Sequence, residues 1–161
     1  MTAERKLRIL AQANATLQSF LTGGSPAIFR WFDVQIPQGF AVQATVVRLQ
    51  RISTVRSYVH ASFPSAQSAS GNAPLLNLAL IRFQLDIVDQ DTEHSRQVAI
   101  AVINWLGTIS LVDDDAFGSP VTTPPQFPCF VLNQRAGLYP DTQPPLPVVT
   151  IDFRAYNFEE Q

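Results

Sequence analysis

Cysteine is nearly absent from this chain of 161 residues, Cys129 being the only one. No internal disulfide can form and no multi-thiolate metal site can be built, which suits a reducing compartment. Histidine is almost as scarce. His60 and His94 are the only two, and neither sits in an HExxH or other recognised metal pattern. GxSxG, P-loop and GxGxxG motifs are missing, and Gly23-Gly24 runs into Ser25 and Pro26 with no lysine to hold phosphate. Cys129, between Pro128 and Phe130, reads as a small hydrophobe and not as a nucleophile. The adjacent acids Asp113, Asp114 and Asp115 lack EF-hand spacing and make a poor cation cage. A hydrolase built on His94 with Asp91 or Glu93 lacks a nucleophile or metal partner. These absences argue against an enzyme, and no cofactor or metal is expected.

Charge and apolar runs are limited as well. The formal net charge is −2 and the pI about 5.6, with no basic patch to grip a duplex. Lysine occurs once against ten arginines. Arginine is favoured at protein interfaces, but codon usage of the source genome would give the same ratio, so the count assigns no interface. The first twenty residues are broken by polar positions and do not read as a signal peptide. No run approaches the roughly eighteen apolar residues of a membrane span. A hydrophobic content of 46% with 15% charged residues places the chain among globular proteins, and its length makes one domain the default.

What is present is organised around residues 76–106. In the first half Ile81, Phe83, Leu85 and Ile87 alternate with Arg82, Gln84 and Asp86, the period of a strand with one buried face. After Asp91 or Thr92 as N-cap, Val98, Ala101, Val102, Trp105 and Leu106 recur at helical spacing until Gly107. Residues 3–21 form a second amphipathic stripe through Leu7, Leu10, Asn14, Leu17 and Leu21, with Thr2 as N-cap and Gly23-Gly24 as stop. Residues 27–34 make a short strand bulky on both faces. Trp31 is therefore either sandwiched or at an interface. Residues 41–52 are β-rich and carry Arg48, with a bulge expected at Val46-Val47. A further strand is expected to resume over 127–132, and the last spans 147–158. Long irregular links are expected at about 60–75, 112–127 and 133–147.

The strands at 76–88 and 147–158 share one design. Each has an apolar face and a face bearing an acid and an arginine: Arg82 with Asp86, and Asp152 with Arg154. Paired antiparallel, they would bring opposite charges together across strands. That face is either a solvated sheet surface or a contact with another subunit, and Tyr156 and Phe158 near the chain's end favour contact. The expected fold is a single α+β domain over 1–161: a mostly antiparallel sheet of four to five strands with two main helices on one face.

The element order resembles the tail-terminator, or tail-completion, family of long-tailed bacteriophages. A strand of the "PAVVYQRIS" kind is matched at 44–53, one of the "RVQIDVW" kind at 82–88, an acid-led helix at 91–106, and a closing strand of the "ldfrvw" kind at 151–156. The links at 60–74 and 112–128 look longer than the family's minimal form. The resemblance implies a structural virion protein forming a homohexameric ring. That ring would cap the tail tube and join it to the head connector, after assembly in the host cytoplasm. DNA would only pass through the channel, which Asp113, Asp114 and Asp115 could line, and no membrane is involved. A head-closure or adaptor neck protein is the nearest alternative. A small-molecule-binding α+β module is the reading from another class, with no polar convergence to mark its pocket.

Overall fold

The computed structural model describes residues 2–37, 42, 44–57, 76–112, 127–140, 142 and 144–160. The links expected at 60–75 and 112–127, His60, and the proposed channel residues Asp113, Asp114 and Asp115 lie outside them, Val112 and Phe127 excepted.

The fold is α+β. Helices α1 (Ala3–Ala13) and α2 (Ala15–Leu21) open the chain, followed by a two-stranded ribbon of β1 (Thr22–Gly23) and β2 (Ile28–Phe29). The main sheet comprises β3 (Trp31–Asp33), β4 (Val46–Ser57), β5 (Leu76–Val88), β6 (Phe130–Tyr139) and β7 (Leu146–Glu160), with α3 (Thr92–Leu106) between β5 and β6. Its strand order is β3-β4-β5-β7-β6. Only β3 and β4 run parallel. The β4–β5, β5–β7 and β7–β6 pairs are antiparallel, so β5 and β7 are the central pair and lie in register from Leu76↔Glu160 to Val88↔Val148.

Alternation on these strands builds the core. Leu49, Leu85 and Ile151 lie in one cross-strand row, and Val47, Ile87 and Val149 in the next; all are buried. Phe83 and Phe153 face each other with ring centroids 5.3 Å apart. Leu7, Leu17, Leu21, Val98, Val102 and Leu106 close over this face from the helices, each fully buried. Asp91 caps α3 as expected, accepting from the amides of Glu93 (2.9 Å) and His94 (3.4 Å), and the helix ends at Gly107.

Four features depart from the sequence expectation. The first helix is broken at Asn14, whose backbone is extended and whose Oδ1 accepts from the Leu17 amide at 3.0 Å to start α2. A side chain that satisfies an orphan amide favours a cap over a helix interior. There is no bulge at Val46-Val47. Val47 faces the helices, while Val46 joins Val42, Val88, Tyr139 and Val148 in a small cluster on the other side. Consecutive valines therefore mark a strand covered on both faces, and the register slips later, between Arg51 and Ser53. The strand expected at 41–52 runs instead from Val46 to Ser57. Residues 133–139, expected to be an irregular link, belong to the ten-residue strand β6, which leaves 140–145 as the connection to β7.

Candidate functional site

The sheet face turned away from the helices carries the charges that the alternation of β5 and β7 predicts. Asp86 and Asp152 stand on it, yet they are only 2% and 3% exposed. Among the described residues no helix or second sheet covers them; arginines do. Arg48, directly opposite Asp86 on β4, donates to its Oδ2 from Nε at 2.8 Å and also from Nη2. Thr150 donates to Asp86 Oδ1 at 2.7 Å and Gln84 adds a contact at 3.2 Å. Arg135 on β6 donates to Asp152 Oδ2 at 2.6 Å, and Arg82 reaches the same oxygen at 3.8 Å. The Arg48 guanidinium also lies 5.4 Å from the centroid of the Tyr139 ring, within cation–π range.

The expected meeting of opposite charges across the central pair occurs between Arg82 and Asp152, and closer contacts come from the flanking strands. Asp86 is served by β4, and Asp152 is served mainly by β6. In the central pair, Arg82 stands opposite Arg154, like charge to like charge. Arg154 is exposed and has no carboxylate partner among the described residues. Among the described side chains, four guanidiniums stand over two carboxylates on this face, a net +2 on a chain whose formal charge is −2. Tyr156 is half-buried at the same face, and Val55 and Phe130 flank it at 61% and 50% exposure. Phe158 continues β7, opposite Leu78. Trp31 is elsewhere. It is fully buried in the main core, stacked on Phe29 and edge-on to Trp105, so the subunit's surface does not present it.

A second cluster sits where β5 meets α3. Asp89 Oδ2 contacts His94 Nδ1 at 2.6 Å and accepts the Thr45 hydroxyl, which also lies 2.9 Å from that ring nitrogen. Burial pushes the Asp89 carboxyl up. The Asp91 amide, the Thr45 hydroxyl and His94 together outweigh burial and hold it below the usual carboxylate range. Arg30 braces the cluster from below, donating to the Thr45 carbonyl and the Phe20 carbonyl, both at 2.8 Å. Gly23 makes room for it, since a Cβ there would meet Arg30 Nη1 at 2.9 Å. The sequence places His94 beside Asp91 and Glu93, and its actual partner is Asp89, at the strand's end. Thr45 is fully buried, and the cluster ties together the residues that flank β4, β5, α2 and α3.

Cys129 is buried, and burial pushes its thiol up to about 12, which removes thiolate reactivity. Among the described residues no three His, Cys, Asp or Glu side chains gather closely enough to hold a metal ion. No described helix is long and apolar enough to cross a membrane.

No protein-family model and no curated protein matches the chain. Among the chains of solved structures that do match, one belongs to the "Virion of native gene transfer agent (GTA) particle". Its TM-score is 0.61 at 14% identity, and the match covers 98% of this chain and 95% of that one. The two chains therefore share a fold from end to end.

Proposed function

We propose that this protein is a structural subunit of a virion. In the finer form of that reading it is a tail-terminator subunit whose hexameric ring caps the tail tube and joins it to the head connector. The single observation that carries the reading is the end-to-end fold correspondence with a chain of a virion particle, which leaves almost no residue of either chain outside the match. The order of sequence motifs points the same way. So does a sheet with one long open edge, β6, nine of whose ten residues are exposed on the isolated subunit. A free strand of that length is a template for association that monomeric proteins usually blunt.

A ring closes by one repeated head-to-tail contact, so each subunit needs two unlike lateral surfaces. It also needs one surface for the tube and another for the connector. The acidic balance of the chain outside the open face suits a channel through which DNA slides without adhering, and Asp113, Asp114 and Asp115 are assigned to that lumen. On this reading the protein is not an enzyme, carries no cofactor, and resides in the virion after assembly in the host cytoplasm. Size-exclusion chromatography with light scattering tests it. A hexamer, or a monomer that assembles on purified tail tubes, is expected. A monomer indifferent to tubes and stabilised by a metabolite would overturn it.

A further inference from the structure

Among the described side chains, the open sheet face carries more guanidiniums than carboxylates, four against two. Arg82 and Arg154 oppose each other on neighbouring strands, an arrangement that is destabilising in itself. The carboxylate nearest to them, Asp152, is already held by Arg135 at 2.6 Å and lies 3.8 Å from Arg82. Beside this cationic spot stand half-buried Tyr156 and exposed Phe130, the mixture of arginine and aromatic side chains from which interface centres are built.

The β3 edge of the same sheet carries the complement. Asp33 ends β3, exposed, and Val34 follows it with φ 73° and 65% exposure. A β-branched residue in the left-handed region is strained, and it persists only where the surroundings enforce it. Here the enforcing bonds are Val34 N–H to the Leu49 carbonyl at 2.8 Å and Gln35 N–H to the Asp33 carbonyl at 2.9 Å. The result is a tight corner that projects an acid and an apolar side chain together. Partial burial and, less strongly, Glu4 push the Asp33 carboxyl above its ordinary value, against Arg8 and the Trp31 side chain, which lower it. Its charged form is therefore less favoured in its own subunit than in water.

We infer that the Asp33 and Val34 corner of one copy seats on the open sheet face of the next. The carboxylate lies between Arg82 and Arg154, and the Val34 side chain lies against Phe130 and Tyr156. A second copy of the chain is the occupant because the two features are complementary in charge and apolarity. They also lie on different parts of the subunit, the corner at the β3 edge and the arginines on the central strands β5 and β7, as a head-to-tail contact between unlike surfaces requires. This inference rests on the ring reading and names its lateral contact.

Sedimentation analysis over a range of concentration and salt tests it with Arg154→Glu, Asp33→Arg, Asp33→Asn and the double variant Arg154→Glu/Asp33→Arg. All the sites are exposed, and circular dichroism verifies that each variant folds. Each single charge reversal is expected to raise the concentration for half-association about ten- to a hundredfold, and the double variant to recover most of that loss. Asp33→Asn is expected to weaken association while leaving monomer stability unchanged or higher, a split that a purely structural acid would not show. Single reversals that assemble like the wild type, or a double variant no better than its worse parent, would overturn this contact and leave the ring standing. A wild-type chain that stays monomeric at every concentration, with and without tail tubes, would overturn both.

Discussion

Asp86 and Asp89 lie three positions apart at the end of β5, and both are buried while carrying charge. Asp86 is neutralised by a partner of opposite sign, Arg48, whose side chain is 17% exposed. Removing one member of such a pair strands the other, so Asp86→Ala is expected to lower stability by about 3 kcal/mol in urea denaturation. The exposed Arg154→Ala should change it by less than about 0.5 kcal/mol. Asp89 is held ionised by hydrogen bonds, and the consequence is a pH dependence. Its folded-state pKa lies below the unfolded value of about 3.9, so between the two the unfolded chain binds more protons. The stabilisation is thus fully present above about pH 4 and is lost as pH falls through the folded value. Glu4, held low against burial by the Arg51 guanidinium at 2.7 Å, adds to the loss in the same direction. Denaturation midpoints measured from pH 7 to pH 2 should therefore fall steeply at the acid end. Asp89→Asn should flatten that fall while costing about 2 kcal/mol at neutral pH.

At the scale of elements, the helical layer depends on a break. Asn14 ends α1 and caps α2, and the seven residues of α2 are too few to hold without it. Asn14→Ala is expected to cost about 1 kcal/mol, and Asn14→Asp much less, by urea midpoint. This break also shows how far the fold was legible in the sequence. β5, α3 and β7 were legible because each buries one face, and burial of one face writes a period of two or 3.6 into the residues. β6 was not. Nearly every residue from Phe130 to Leu138 is exposed on an edge strand, so no face selects apolar residues and no period appears. Val46 and Val47 misled for the converse reason, since both faces are covered there. The charged face could be read as a set of residues, Arg82, Asp86, Asp152 and Arg154. Its pairing could not, because which arginine meets which acid follows from strand register and from Arg48 and Arg135 on flanking strands.

At the scale of the whole molecule, the chain's two ends are joined through its interior. Lys6, 8% exposed, donates from Nζ to Asn157 Oδ1 at 2.9 Å and to the Leu111 carbonyl at 3.2 Å. These bonds tie α1 to the last strand and to the segment that leaves α3. Asn157 is itself 1% exposed, so truncating the lysine leaves a buried amide oxygen unserved. The central pairing likewise joins residue 76 to residue 160, and Trp31 on β3 meets Trp105 on α3 at 6.1 Å inside the same core. None of these elements can leave without opening the others, so the domain should unfold as one unit. Tryptophan fluorescence reports the core at Trp31 and Trp105, and far-ultraviolet circular dichroism reports the helices. The two transitions are expected to coincide in urea. Lys6→Ala should shift both together by about 3 kcal/mol, since the loss strikes the bond that closes the structure. A helical transition that moved alone, with fluorescence unchanged, would mean that α1 is an appendage and that the sheet stands without it.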